Sequence, residues 1–231
     1  MSKISTIGID ADDTLWQSEH FFKLTQSHFA ELLADYADPA DLGRKLLAAE
    51  KRNLQVYGFG IKGFVLSMIE TAIEITGGKV PAPIIQKILT AGQEMLAHPI
   101  LPLPMVRETL EDLNKDYRLI LITKGDLFDQ ERKLAQSGLG ELFHAVEIVS
   151  DKGAHTYQRI FDQHGNGPAH AMMVGNSLKS DIIPAIEIGS WGVFIPHDLT
   201  WEHEHAEAPV EHPRYKQIES FGELIDLIEN I

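Results

Sequence analysis

Cysteine is absent from the 231 residues, which excludes disulfides, thiol nucleophiles and thiolate metal sites. Long apolar runs are missing too, since none approaches the ~18 residues that a membrane helix needs. The amino terminus, Met-Ser-Lys-Ile-Ser-Thr, has neither a basic leader nor an apolar core of signal-peptide type. Basic residues are few: 20 Lys and Arg stand against 34 Asp and Glu, a formal charge of −14. A field of that sign disfavours nucleic acid and anionic membrane as partners. It leaves room for a small anionic substrate, because screening over about 8 Å lets a few lysines set the potential inside a cleft. The expectation is a soluble cytoplasmic protein. The composition, 44% hydrophobic and 23% charged, suits one large globular domain or two modest ones.

The stretch from Ile4 to Leu15 organises what is present. A short run rich in β-branched residues reads as a buried strand and breaks into three acids, Asp10, Asp12 and Asp13. Side chains alternate along a strand, so Asp10 and Asp12 face one crevice only if the chain turns sharply after Asp10. Two such carboxylates repel unless a cation or a proton neutralises them, which predicts a divalent metal, a shared proton, or both. The competing reading is a solvated acidic turn in which Asp13-Thr14 starts a helix.

After Leu15 the pattern is helical for some eighty residues. Phe21, Phe22, Phe29, Leu32 and Leu33 mark a first helix, and Asp38-Pro39 caps and opens a second. Tyr57-Gly58-Phe59-Gly60 breaks that one, Gly77-Gly78 stops a third, and a fourth begins around Ala82-Pro83. A proline-dense link, His98 to Pro104, follows. From Met105 onward helices alternate with strands at 117–123, 145–149, 171–174 and 192–195, the last strand expected. This rhythm implies an α/β fold: a doubly wound parallel sheet, Rossmann-like, with an inserted α-helical bundle. The predicted division is a core of 1–15 and 100–231 and an insertion of 16–99.

A doubly wound sheet binds ligands beyond the carboxyl ends of its strands. There the sequence delivers Asp10 and Asp12, then Thr123-Lys124-Gly125, then Ser150-Asp151-Lys152, then Gly175-Asn176-Ser177 with Asp181. Carboxylates, a hydroxyl, an ammonium and an amide beside glycine can hold a metal and a phosphoryl group together. This order resembles the haloacid dehalogenase superfamily: Asp10-Ala11-Asp12-Asp13-Thr14-Leu15, Thr123, Lys152, and Gly175 to Asp181 match its four motifs, and the insertion looks like its helical cap.

The resemblance implies a Mg²⁺-dependent phosphatase acting on small phosphorylated metabolites. Asp10 is then the nucleophile that forms an aspartyl phosphate, and Asp12 the proton donor and later base, holding a proton above the ordinary Asp value. Thr123 and the amides after Asp10 bind phosphoryl oxygens, with Ala11, Lys124 and Gly125 as substrate-binding positions, and Lys152 neutralises charge. Asp10, the carbonyl of Asp12, Asn176 and Asp181 hold the metal. Asn176 stands where the family often has Asp, which leaves the split between Asn176 and Asp181 open. Asp13 stands where small residues are common.

Two alternatives remain at this point: a 2-haloacid dehalogenase-type hydrolase, disfavoured because that branch typically lacks the second carboxylate, and a non-catalytic metabolite-binding relative. A phosphonatase would need an insertion lysine, for which Lys62 is the candidate. The loop 57–63, with Trp16, Gln17 and Phe21, is a candidate contact for the leaving group. Lys124 and Lys179 are expected to make the cleft mouth positive. His197/His212 and His203/His205 suggest a metal, but a solvated His- and Glu-rich loop is the simpler reading. The sequence does not give the oligomeric state.

Overall fold

The computed structural model of the chain describes residues 3–199, 201 and 204–231. It divides into two compact units, Met1–Glu19 with Ile100–Lys124 and Gln130–Ile231, and His20–Pro99 with Gly125–Asp129. Strand β1 (Thr6–Ile9) is followed by four helices, α1 (Glu19–Leu32), α2 (Pro39–Tyr57), α3 (Ile61–Ile75) and α4 (Ala82–Ala97). Asp38 caps α2 as its sequence position requires, accepting from the backbone amides of Ala40 and Asp41. The helical unit has its own core, in which Phe29, Leu33, Leu42, Leu46, Phe64, Met68 and Ile88 are buried. Gly92 of α4 lets that helix close on α3, because a Cβ there would meet Val65 Cγ2 at 2.4 Å.

The α/β unit continues with α5 (Val106–Leu113), β2 (Arg118–Lys124), α6 (Leu127–Ser137), β3 (Ala145–Val149), α7 (Ala154–His164), β4 (Ala171–Gly175), α8 (Ile183–Glu187), β5 (Trp191–Phe194), β6 (Tyr215–Gln217) and α9 (Leu224–Glu229). The strands form one parallel sheet in the order β3-β2-β1-β4-β5-β6. Alternation along the central strands supplies both faces. Ile7, Ile9, Leu119, Leu121, Met172 and Val174 pack with Val106 and Leu110 of α5 and Leu224 of α9. Ile120, Ile122, Ala171 and Met173 pack with Tyr157, Ile160 and Phe161 of α7 and Ala185 of α8. Each fully buried aliphatic side chain contributes about 1.5–3 kcal/mol, so the middle of the sheet is its most heavily stabilised part.

The structure departs from expectation in four places. The strand at 191–194 is not the last: β6 pairs beyond it, three residues long and without an apolar run to announce it. Helix α3 begins at Ile61, inside the stretch expected to be a loop, and α7 begins at Ala154 with no capping side chain to mark its start. Leu178–Ile182 forms a wide π-type turn before α8, with Ser177 Oγ accepting from the Ser180 amide. Among the described residues no helix is long and apolar enough to cross a membrane.

Gly92→Ala is expected to cost about 1–3 kcal/mol in urea unfolding, because Val65 is stiff and cannot swing aside. Val65→Ala in the same chain should recover part of that loss.

Candidate active site

The site grows from the end of β1. Register pairs Ile9 with Leu121 of β2 and Val174 of β4, so Asp10 leaves the sheet between two strand ends, its amide bonded to the Val174 carbonyl at 2.9 Å. The chain then turns at once: the amides of Thr14 and Leu15 both bond to the Ala11 carbonyl, and Asp13 sits at φ +61°. That left-handed conformation is costly for a residue with a side chain. The Asp13 carboxylate offsets it by accepting from the amides of Ser18 at 2.8 Å and Glu19 at 3.0 Å, at the start of α1. Burial raises the Asp13 carboxyl, while these amides and His197, at 3.6 Å, oppose the rise.

Lys152, beyond β3, reaches two carboxylates at once. Its Nζ bonds directly to Asp10 Oδ1, and lies 2.7 Å from Asp181 Oδ1. All three are almost fully buried, at 6%, 4% and 1% exposure for Asp10, Lys152 and Asp181. Burial alone would lower the lysine, but the two carboxylates outweigh it and hold the ammonium well above its usual value. Asp10 is pushed up to about 7 by burial, with Asp181 and Asp12 adding to the rise and Lys152 opposing it. Both oxygens of Asp181 are engaged, since Oδ2 accepts from the Ser177 amide at 2.9 Å. Gly175 makes this possible: a Cβ there would lie 2.3 Å from Asp181 Oδ2.

Asp12 has a different environment. Lys133 Nζ lies 2.9 and 3.0 Å from its oxygens, Trp16 Nε1 donates at 2.7 Å and Gln130 Nε2 at 3.2 Å. Burial would raise its pKa, yet Lys133 and these donors outweigh burial and hold it below the usual carboxylate range. That differs from the expectation that Asp12 holds a proton. Gln130 Nε2 also reaches Thr123 Oγ1 at 2.6 Å and the Lys124 carbonyl at 2.9 Å, which joins the second motif to the first.

The side-chain amide of Asn176 faces Asp10 Oδ2 at 3.2 Å and the Asp12 carbonyl oxygen at 3.3 Å, and with its nitrogen turned toward them it donates to both. With the amide oxygen turned inward, the three oxygens would repel unless a cation sat among them, and would make a set that suits a small hard cation such as Mg²⁺. Thr14 Oγ1 supports the arrangement, 3.3 Å from Asp10 Oδ2 and 3.4 Å from Asn176 Oδ1.

Of the remaining expected positions, Ala11 is buried in the turn, and Gly125, at φ +146°, groups with the helical unit. Lys124 is not a bare positive charge at the mouth: Glu204 Oε1 pairs with it at 2.7 Å. Lys179 is exposed. Lys62 pairs with Asp126 at 2.9 Å within the helical unit. His197 Nδ1 lies 2.8 Å from the Leu199 carbonyl, His212 accepts from the Arg214 amide, and His203 lies outside the described residues. Among the described residues no three His, Asp or Glu side chains are gathered as a metal site.

Sequence reasoning placed Ser177 at the crevice without a role and missed Gln130, Lys133, Tyr157, Ser180 and Glu204. Tyr157 donates to the Ser180 carbonyl at 2.9 Å and lies 3.5 Å from Asp181 Oδ1. A polar Gln130/Lys133 pair at helical spacing, on the buried side of α6, was the one signal available.

A strand-end carboxylate, a buried lysine against it and a carboxylate–amide loop after the fourth strand gather at the carboxyl end of the parallel sheet, the place where an α/β hydrolase carries its reacting groups. A family model of haloacid dehalogenase-like hydrolases matches residues 4–189, and the chain belongs to that family. A haloacid dehalogenase-like hydrolase from Xanthomonas campestris of known structure is 38% identical, with a TM-score of 0.86 over 98% of this chain and 92% of its own. The glyceraldehyde 3-phosphate phosphatase of Methanothermobacter thermautotrophicus is 26% identical over 217 residues, covering 88% of this chain and 91% of that protein. The hydrolase YfnB of Bacillus subtilis, crystallised with magnesium, shares the fold at 18% identity and a TM-score of 0.65, each chain covered completely.

Gly175→Ala is expected to displace Asp181 and free Lys152 from one of its two anions, cutting turnover at least 100-fold while circular dichroism still reports the sheet. Glu204 is held down to about 2: burial raises it, but Lys124, Ser177 and Ser180 outweigh that. Because its folded value is depressed, its contribution is present above the unfolded value of about 4.3 and is lost as pH falls from there toward 2. Glu204→Gln should therefore be roughly 2–3 kcal/mol less stable at pH 7 in urea unfolding, and the gap should narrow between pH 5 and pH 3.

Proposed function

We propose that the protein is a Mg²⁺-dependent phosphatase that hydrolyses small phosphate monoesters through an aspartyl-phosphate intermediate. The observation that carries this reading is the position of Asp10: one oxygen is fixed by Lys152, and the other faces the side-chain amide of Asn176, which also faces the Asp12 carbonyl oxygen. The phosphatase relative from Methanothermobacter supports the same class of substrate.

Asp10, the Asp12 carbonyl and Asn176 would hold the cation. Asp181 supports them from behind, because its own oxygens are taken by Lys152 and the Ser177 amide. When bound, the cation supplies positive charge to the phosphoryl oxygens and to Asp10. Asp10 Oδ attacks phosphorus as the bond to the leaving oxygen breaks, and Lys152 neutralises charge on the phosphoryl group. Thr123 and the amides after Asp10 bind its oxygens, as does Ala11 through its backbone. Asp12 rests ionised against Lys133, takes the proton that the phosphate monoester carries in as its monoanion, and passes it to the leaving oxygen. In the second step Asp12 takes a proton from water, the oxygen of that water attacks phosphorus, and phosphate leaves Asp10.

Phosphate release from an aryl phosphate is expected to require Mg²⁺, to vanish in Asp10→Asn and to fall about 10²–10⁴-fold in Asp12→Asn. Turnover of 2-haloacids without metal, with no phosphate released from a broad panel of phosphate esters, would overturn the reading.

A further inference from the structure

Glu204 comes from the long segment between β5 and β6, far in sequence from every motif of the site. Its side chain is 14% exposed, and its carboxylate is held by three donors: Lys124 Nζ at 2.7 Å, Ser177 Oγ at 2.6 Å, and Ser180 Oγ, which bonds to the same oxygen as Ser177. Lys124 Nζ also donates to Ser180 Oγ at 2.8 Å, closing a ring. An ammonium and two hydroxyls converging on one point form an anion clamp, and here the protein's own carboxylate fills it.

The clamp lies at the carboxyl end of the sheet, beside the reacting groups. Lys124 ends β2 directly after Thr123, Ser177 follows Asn176, and Ser180 precedes Asp181. A phosphate ester that carries a second anionic group would find at this point a lysine whose charge is already cancelled. We propose that Glu204 is a specificity-determining residue: by occupying the clamp of Lys124, Ser177 and Ser180 it turns away substrates whose leaving group bears a carboxylate or second phosphate, and favours those with an uncharged one. The selectivity is electrostatic and local, as expected where one opposite charge among largely buried groups decides the potential. Net charge does not decide it.

The inference rests on the phosphatase reading, and two arms separate the failure of either. The first compares kcat/KM for phosphoglycolate, which carries a carboxylate, with that for ethyl phosphate, which does not. Glu204→Gln keeps an acceptor for the hydroxyls and frees the lysine charge. The ratio should rise at least tenfold, and Glu204→Gln/Lys124→Met should return it toward the wild-type value. If Glu204→Gln does not fold, Lys124→Met alone, which leaves Glu204 uncompensated, should lower the ratio at least threefold. A ratio within twofold of wild type in the folded variants, with both esters turned over, overturns the inference and leaves the phosphatase reading standing. The second arm needs no turnover: calorimetry with phosphonoacetate and methylphosphonate in the presence of Mg²⁺. Tighter binding of phosphonoacetate alone in Glu204→Gln supports the inference even if neither ester is hydrolysed, an outcome that counts against the phosphatase reading alone. An equal change for both phosphonates overturns the inference.

Discussion

The ammonium of Lys152 is the constraint on which the rest of the site depends. It stands between two carboxylates, Asp10 and Asp181, in a place almost closed to water. Removing one member of such a set strands the others, typically at 3–5 kcal/mol, so the three stand or fall together. With both carboxylates ionised, their sum is one negative charge. Much of the local chemistry serves this arrangement: Gly175 leaves room for Asp181, the Ser177 amide and the Tyr157 hydroxyl orient that part of the chain, and Thr14 steadies the far oxygen of Asp10.

Two carboxylates only two residues apart are thereby given opposite characters. Asp10 is buried among other acids and rises; Asp12 is gripped by Lys133, Trp16 and Gln130 and falls. Neighbours that divide a pair of like groups in this way assign them different parts in one reaction. The sharp turn through Ala11 and Asp13 makes the division possible, because it aims successive acids at different sets of partners.

The strand-end groups were legible because a parallel sheet converts sequence order into spatial position. Asp10, Thr123, Lys152 and Asn176 each follow a short apolar run, and such runs are the strongest signal a chain of this class carries. Asp38-Pro39 was legible for a similarly local reason, since cap and first turn are set within four residues. Lys133 and Tyr157 were not, because nothing in a single helix says which polar residue will meet a distant carboxylate. Glu204 was hidden more deeply, in a stretch of His and Glu that reads as solvated loop. Strand β6 escaped because three residues at a sheet edge need no apolar pattern to pair.

The order of strands across the sheet carries a consequence for the birth of the molecule. β1 is translated first, yet it lies in the middle, flanked by β2 and by β4, whose residues arrive some 160 positions later. Pairing over such separations is slow and waits for late segments to emerge. Asp10 therefore leaves the ribosome early and stays without its partners until most of the chain has followed it, so a truncated or stalled product carries this carboxylate without the lysine and amide that meet it in the folded site.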